Sequence, residues 1–148
     1  MDRRGTRHNV LYKGQFEHTV DDRGRLAVPA RYRSDFERGG VMTIAGDGCA
    51  ELYTPEGFDK MSAYVTAMPR TTPEGREARR EFYGQAFDVE LDKQGRILIP
   101  AKVRQDMGLE GAVTVVGSFE CFEVWNPARL AQHLSRRAAS SVEQASGS

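Results

Sequence analysis

Two stretches of this chain, Phe16 to Gly46 and Phe87 to Gly117, carry one pattern written twice at an offset of 71 residues. Phe16 meets Phe87, Asp21 meets Asp92, Gly24-Arg25 meets Gly95-Arg96, Pro29-Ala30 meets Pro100-Ala101, and Arg33 meets Arg104. Gly40, Thr43 and Gly46 meet Gly111, Thr114 and Gly117; one inserted residue then brings Glu51, Tyr53 and Pro55 onto Glu123, Trp125 and Pro127. Between identities the apolar class is kept, as where Leu26 and Val28 align with Ile97 and Ile99. A duplication constrains the fold more than any other feature of the sequence. A unit of about forty residues buries too little surface to stand alone, so each copy needs the other.

Each copy reads as the same small unit. Gln15 to Val20 and Phe87 to Leu91 alternate in the strand period. Asp21-Asp22-Arg23-Gly24 and Asp92-Lys93-Gln94-Gly95 are tight-turn sequences, with Asp closing the turn and Gly supplying positive φ. Second strands follow, Arg25 to Val28 and Arg96 to Ile99, each stopped by a proline that cannot donate to a ladder (Pro29, Pro100). Short helical stretches are predicted over Ala30 to Phe36 and Ala101 to Met107, then strands over Val41 to Ala45, Ala50 to Tyr53, Ala112 to Val116 and Phe122 to Trp125. Thr54-Pro55 and Asn126-Pro127 each place an N-cap residue before a proline at the first helical position.

The fold class is therefore α+β and β-rich: two half-units, 15–58 and 86–129, intertwined into one pseudo-symmetric β-barrel with flanking helices. A helical connector, 59–85, joins them. Phe58, Met61, Tyr64 and Val65 recur at helical spacing there, and Thr71-x-x-Glu74 reads as a capping box for a second helix reaching about Gln85. That helix reads as a solvated or subunit-facing surface laced with ion pairs. The basic, polar residues 1–10 and the Ala/Ser/Gly-rich stretch 138–148 read as disordered ends.

With 21 basic and 21 acidic residues the formal net charge is zero, so nucleic-acid binding requires a local patch. No apolar run approaches a membrane span, and Met1 to Arg7 lacks the apolar stretch of a secretory signal, which places the chain in the cytoplasm. Two cysteines exclude a disulfide-stapled scaffold. Cys49 and Cys121 occupy matching repeat positions and read as small buried residues rather than nucleophiles. His8, His18 and His133 form no metal-ligand spacing, and Gly46-Asp47-Gly48 is a turn rather than a phosphate loop. An enzyme, a cofactor, a metal and a small-molecule substrate are not expected.

The duplicated turn tips carry the chemistry. Both read Asp-x-x-Gly-Arg, so a carboxylate and a guanidinium straddle each reversal and can fix the arginine in direction. Arg23, Arg31 and Arg33 lie near the first tip, and Lys93, Lys102 and Arg104 near the second. Such a face can meet phosphates, and an oriented arginine can read guanine in a groove. The candidate DNA-binding residues are Asp21, Arg23, Arg25, Arg31, Arg33, Asp92, Lys93, Arg96, Lys102 and Arg104. Taken alone, Arg31 and Arg33 also fit a plain solvated helix face.

These stretches resemble the MraZ family, a branch of the AbrB-like (SpoVT-AbrB) DNA-binding group. Asp21 to Arg33 is similar to the first family motif and Glu90 to Pro100 to the second, with Glu51 to Pro55 and Glu123 to Pro127 similar to the segments closing each half. The resemblance runs from about Leu11 to Leu134. It implies two SpoVT-AbrB repeats, a swapped-hairpin barrel, assembly into a homo-oligomeric ring larger than a dimer, and binding to direct repeats in double-stranded promoter DNA. In the family that promoter heads the bacterial cell-division and cell-wall gene cluster, which implies a nucleoid-associated transcriptional regulator. The Asp-x-x-x-Arg motif carries DNA binding there, which maps to Asp21 with Arg25 and Asp92 with Arg96. Family members begin at a Met-Phe-x-Gly that aligns with Leu11-Tyr12-Lys13-Gly14, so residues 1–10 are extra. Two other readings share the fold: an AbrB-like antitoxin and a ring scaffold for protein interaction.

Overall fold

The computed structural model describes residues 12–146. In chain order the strands are β1 (Gln15–Val20), β2 (Arg25–Ala27), β3 (Gly40–Ile44), β4 (Ala50–Tyr53), β5 (Ala86–Val89), β6 (Arg96–Leu98), β7 (Gly111–Gly117) and β8 (Phe122–Trp125). The α-helices are α1 (Pro55–Thr66), α2 (Pro73–Tyr83), α3 (Ala101–Met107) and α4 (Pro127–Ser146), and a 3-10 helix spans Ala30–Phe36.

The strands form a six-stranded antiparallel sheet in the order β1-β7-β8-β4-β3-β5 and a separate two-stranded ribbon, β2-β6. Exchanging the two copies turns the sheet order into its own reverse, so a pseudo-two-fold axis passes between β4 and β8. Repeat-equivalent residues face each other along it: Glu51 opposes Glu123, and in the ribbon Leu26 opposes Ile97. The first strand of each copy pairs with the third strand of the other, β1 with β7 and β5 with β3. The halves are therefore exchanged and share one core.

The expected closed β-barrel is not what forms. Among the described residues the six-stranded sheet is open, with β1 and β5 as its edges, and the ribbon is a separate ladder that meets the chain beyond β5 through a single bridge, Leu91 with Ile97. The cause lies in the prolines. Pro29 and Pro100 end β2 and β6 after three residues each and leave no donor to extend the ladder toward the sheet. The ribbon is instead held by burial: Leu26 and Ile97 are 4% and 2% exposed and join Val28, Ile99, Tyr32, Phe36, Met42, Leu52, Phe122 and Val124 in the core. Burying side chains of this size contributes about 1.5–3 kcal/mol each.

The exchange is not fully symmetric. Val20 opposes Gly111, but Gly40 opposes Val89 rather than Leu91, the repeat partner of Val20. A two-residue offset keeps every side chain on its face, because the strand period is two. The short helices differ as well. Ala101–Met107 is α-helical and ends at Gly108, whose φ of 65° closes the last turn, with Leu109 N–H donating to Arg104 O. Copy one has Glu37 at that position, in right-handed conformation, and its stretch is a 3-10 helix.

Helices α1 and α2 pack on the outer face of the sheet, with Tyr53 against Phe58 at 6.1 Å and Phe58 stacked on Phe82 at 4.9 Å. The cap of α2 is Thr72, not the expected Thr71: its Oγ1 accepts from Gly75 N–H at 3.0 Å. Thr72 precedes Pro73 just as Thr54 precedes Pro55, and proline at the first helical position fixes where the helix begins. α2 stops at Tyr83, before Gly84, rather than near Gln85. It carries one ion pair between described residues, Arg80 with Glu77, while Arg76 and Arg79 donate to backbone carbonyls instead.

Helix α4 runs on to Ser146, through most of the stretch expected to be disordered. No Gly or Pro interrupts 128–146, and Ala and Gln favour helix there. The expectations for residues 1–10, His8 and residues 147–148 fall outside the described residues. No helix among those described is long and apolar enough to cross a membrane.

Candidate nucleic-acid interface

The ribbon brings the two turn tips side by side. In each turn the first Asp organises the backbone. Asp21 Oδ1 accepts from the N–H groups of Arg23 and Arg25, both at 2.9 Å, and Asp92 Oδ1 accepts from those of Gln94 and Arg96, both at 2.9 Å. The other carboxylate oxygen takes the arginine Nε across the reversal, at 2.8 Å for Asp21–Arg25 and 3.1 Å for Asp92–Arg96. These contacts hold both carboxyls below the usual carboxylate range. The backbone N–H of Arg25 acts most on Asp21, and that of Arg96 most on Asp92.

Each tip is built by both copies. Gly24 O accepts from Ile99 N–H and Gly95 O from Val28 N–H, both at 2.9 Å. The tip glycines have φ of 83° and 78°, and their missing side chains leave room for a guanidinium of the opposite copy, Arg104 over Gly24 and Arg33 over Gly95. Arg104 Nε donates to Ile99 O and Arg33 Nε to Val28 O, both at 3.0 Å. Both arginines are half-buried, so the solvated-face reading fails for Arg33. It is a clamp on the other half's turn. Arg96 Nη1 also lies 3.7 Å from Asp21 Oδ2, which ties the second tip to the first.

The remaining candidates divide. Arg23 and Lys93 are exposed at the tips and make no side-chain hydrogen bond or ion pair with described residues. Arg31 lies over the Tyr32 ring at 4.8 Å, and Lys102 is paired with Asp106 at 2.9 Å. Neither is drawn into the tip network. Two neighbours escape the sequence reading. Gln94 accepts from Arg96 Nη2, and Leu98, 57% exposed, shares the outer ribbon face with Arg25, Ala27 and Arg96. The strand period carries that signal, because residues 96 and 98 must point the same way.

The sites favoured by an enzyme reading are quiet. Cys49 and Cys121 are buried, and burial pushes both thiols up, away from the thiolate a nucleophile needs. His18 packs beside Phe16 and His133 against Trp125. No group of three or more His, Cys, Asp or Glu among the described residues is arranged to hold a metal.

Two successive segments, 11–81 and 82–147, match the family described as "MraZ protein, putative antitoxin-like". The chain is 38% identical to the transcriptional regulator MraZ of Thermomicrobium roseum over 129 residues, which is 87% of this chain and 91% of that protein. It is 37% identical to the same-named protein of Lactiplantibacillus plantarum, over 87% of this chain and 92% of the relative. With that of Heliobacterium modesticaldum it shares 34% identity, over 90% and 93%. With matched segments spanning both halves and relatives aligned over most of their length, the chain belongs to the MraZ family.

Proposed function

We propose that the protein is a transcriptional regulator that binds double-stranded promoter DNA through the paired turn tips. One observation carries this reading: two Asp–Arg pairs, fixed in direction and linked to each other, on a two-stranded ribbon. A two-stranded β-ribbon fits the B-DNA major groove, where an arginine fork pairs with guanine O6 and N7. Arg25 uses only Nε on Asp21, so both of its terminal nitrogens remain for a base edge. Arg23, Lys93, Arg33 and Arg104 supply positive charge around the ribbon for phosphates, with Arg31, Lys102 and the rest of the short helices flanking it. Relatives that are named transcriptional regulators support the reading.

The finer reading follows from zero net charge and unequal halves. A single pair of tips makes few phosphate contacts, so useful affinity requires several subunits acting together. Unequal halves favour head-to-tail contacts, which close into a ring larger than a dimer. The ring then meets direct repeats spaced by about one helical turn, roughly 10 base pairs. The cell-division and cell-wall gene cluster supplies the promoter, and the protein works in the cytoplasm on the nucleoid.

The test is a binding titration with duplexes carrying one repeat, several in-phase repeats, and the same repeats separated by a further half turn of about 5 base pairs. In-phase repeats should bind about 10² to 10⁴ times more tightly than one. Arg25→Ala should remove most of the affinity, Arg96→Ala less, and neither should alter the mass of the assembly. Equal affinity for all three duplexes would refute the ring reading. Unchanged affinity in the double variant would refute the tips as the DNA site.

A further inference from the structure

Helix α2 lies outside the duplicated unit, and its arginines answer no requirement of the two-fold frame. Arg70, Arg76, Arg79 and Arg80 gather with Tyr83 around an open recess of about 450 Å³ that no carboxylate lines. Arg76 Nη1 donates to Arg70 O at 3.1 Å, and Arg79 Nη2 donates to Met68 O at 3.1 Å. Those carbonyls orient the side chains but neutralise no charge. Among the described residues only Arg80 has a carboxylate partner, Glu77, and that pair is largely exposed. Arg79 Nε is buried and has no hydrogen-bond partner among the described residues. A buried charged donor left open is destabilising until an acceptor reaches it.

We propose that this recess is an anion site for a phosphate group, separate from the turn tips and independent of the operator reading. The four arginines that line the recess carry more donors than the two oxygens of one carboxylate can accept. A phosphate presents three or more oxygens and matches the fork geometry of arginine. The recess has the size of a small-molecule site, roughly 300–1,000 Å³, but a cationic lining. Tyr83 completes the lining, its ring held by edge contacts to Phe58 and Phe82. The phosphate can come from a phosphorylated small molecule or from a nucleic-acid backbone, and the chemistry of capture is shared.

Pyrophosphate, titrated into the full-length protein by calorimetry, serves as the probe, with a duplex lacking operator repeats as competitor. The wild type should bind one pyrophosphate per chain. Arg70→Ala with Arg80→Ala, both exposed positions, should weaken binding at least tenfold with circular dichroism and assembly mass unchanged. Arg70→Lys, which keeps the charge and loses the fork, should lie between. The Arg25→Ala/Arg96→Ala protein should bind pyrophosphate like wild type even where it has lost operator affinity. Competition by the duplex identifies a backbone phosphate, and its absence a small phosphorylated ligand. No pyrophosphate binding in the millimolar range, equal affinity in the double variant, or loss confined to the tip variant would overturn the proposal.

Discussion

Gly24→Ala probes the contact between the halves directly. At Gly24 φ is 83°, and a Cβ there would come within 2.6 Å of Arg104 Nη1 in the opposite copy. Two separable terms follow. Placing a non-glycine residue in left-handed conformation costs about 1–2 kcal/mol. Displacing Arg104 breaks its 3.0 Å bond to Ile99 O, a charged donor on a backbone carbonyl worth about 1.5–3 kcal/mol. Gly24→Ala should therefore cost about 2.5–5 kcal/mol. In an Arg104→Ala background only the backbone term remains, about 1–2 kcal/mol. The coupling between the two sites is the difference, about 1.5–3 kcal/mol. Urea denaturation gives all four stabilities, with the protein concentration held fixed so that any association contributes equally to each. Additive costs, with coupling under about 0.5 kcal/mol, would show that Arg104 does not sit over the turn and would refute the interlocked-tip argument. Gly95→Ala with Arg33→Ala tests the symmetric contact in the same way.

Thr72→Ala should lower stability by about 1 kcal/mol while Thr71→Ala changes it by less than about 0.5 kcal/mol, which urea midpoints will separate. Glu51→Gln should stabilise the protein at pH 7 by about 0.2–1 kcal/mol, because Glu51 faces Glu123 across β4 and β8 and burial raises its carboxyl. A raised folded pKa contributes stability that is full below the unfolded value and lost as pH rises, so the gap between variant and wild type should close toward pH 4. A gap that widens on acidification would contradict this. The lowered carboxyls of Asp21 and Asp92 have the opposite sign: their contribution is present above the unfolded Asp value and lost only as pH falls through the folded one. Circular dichroism of wild type and Asp21→Asn should therefore show a tip-dependent stability difference that is flat from pH 8 to 5 and shrinks only below about pH 4.

The duplicated frame was legible because turns and strands are local. Asp-x-x-Gly fixes a reversal, alternation fixes a face, and Thr-Pro or Asn-Pro fixes a helix start, each within a few residues of chain. Which strands pair across the copies is not local. Closure of the sheet depended on whether two three-residue strands could reach its edges, and Pro29 and Pro100 decide that only once β2 and β6 have paired with each other. At the site, the Asp21–Arg25 and Asp92–Arg96 pairs were readable from a spacing of four across a turn. The roles of Arg33 and Arg104 were not, because each acts on a glycine far away in sequence, and no periodicity links Arg33 to Gly95. The expectation of a disordered end rested on the Ala/Ser/Gly-rich composition of 138–148, yet the alanines in that stretch favour helix, and α4 runs to Ser146.

The same backbone under the two tips presents different chemistry, and on the DNA-binding reading that difference has a consequence for the operator. Tip one holds Asp22 and Arg23 where tip two holds Lys93 and Gln94. Arg96 has all three nitrogens engaged, with Nε on Asp92, Nη1 facing Asp21 and Nη2 on Gln94. Arg25 is bound through Nε alone. One arginine is thus a fixed charge suited to a phosphate, and the other keeps a free fork suited to a base edge. A true two-fold pair of readers requires an inverted half-site, since each must meet the same bases on opposite strands. Unequal tips remove that requirement and give each subunit a polarity along the groove. In the proposed head-to-tail ring, subunits related by rotation would all share that polarity, and the operator matching it would be a run of direct repeats.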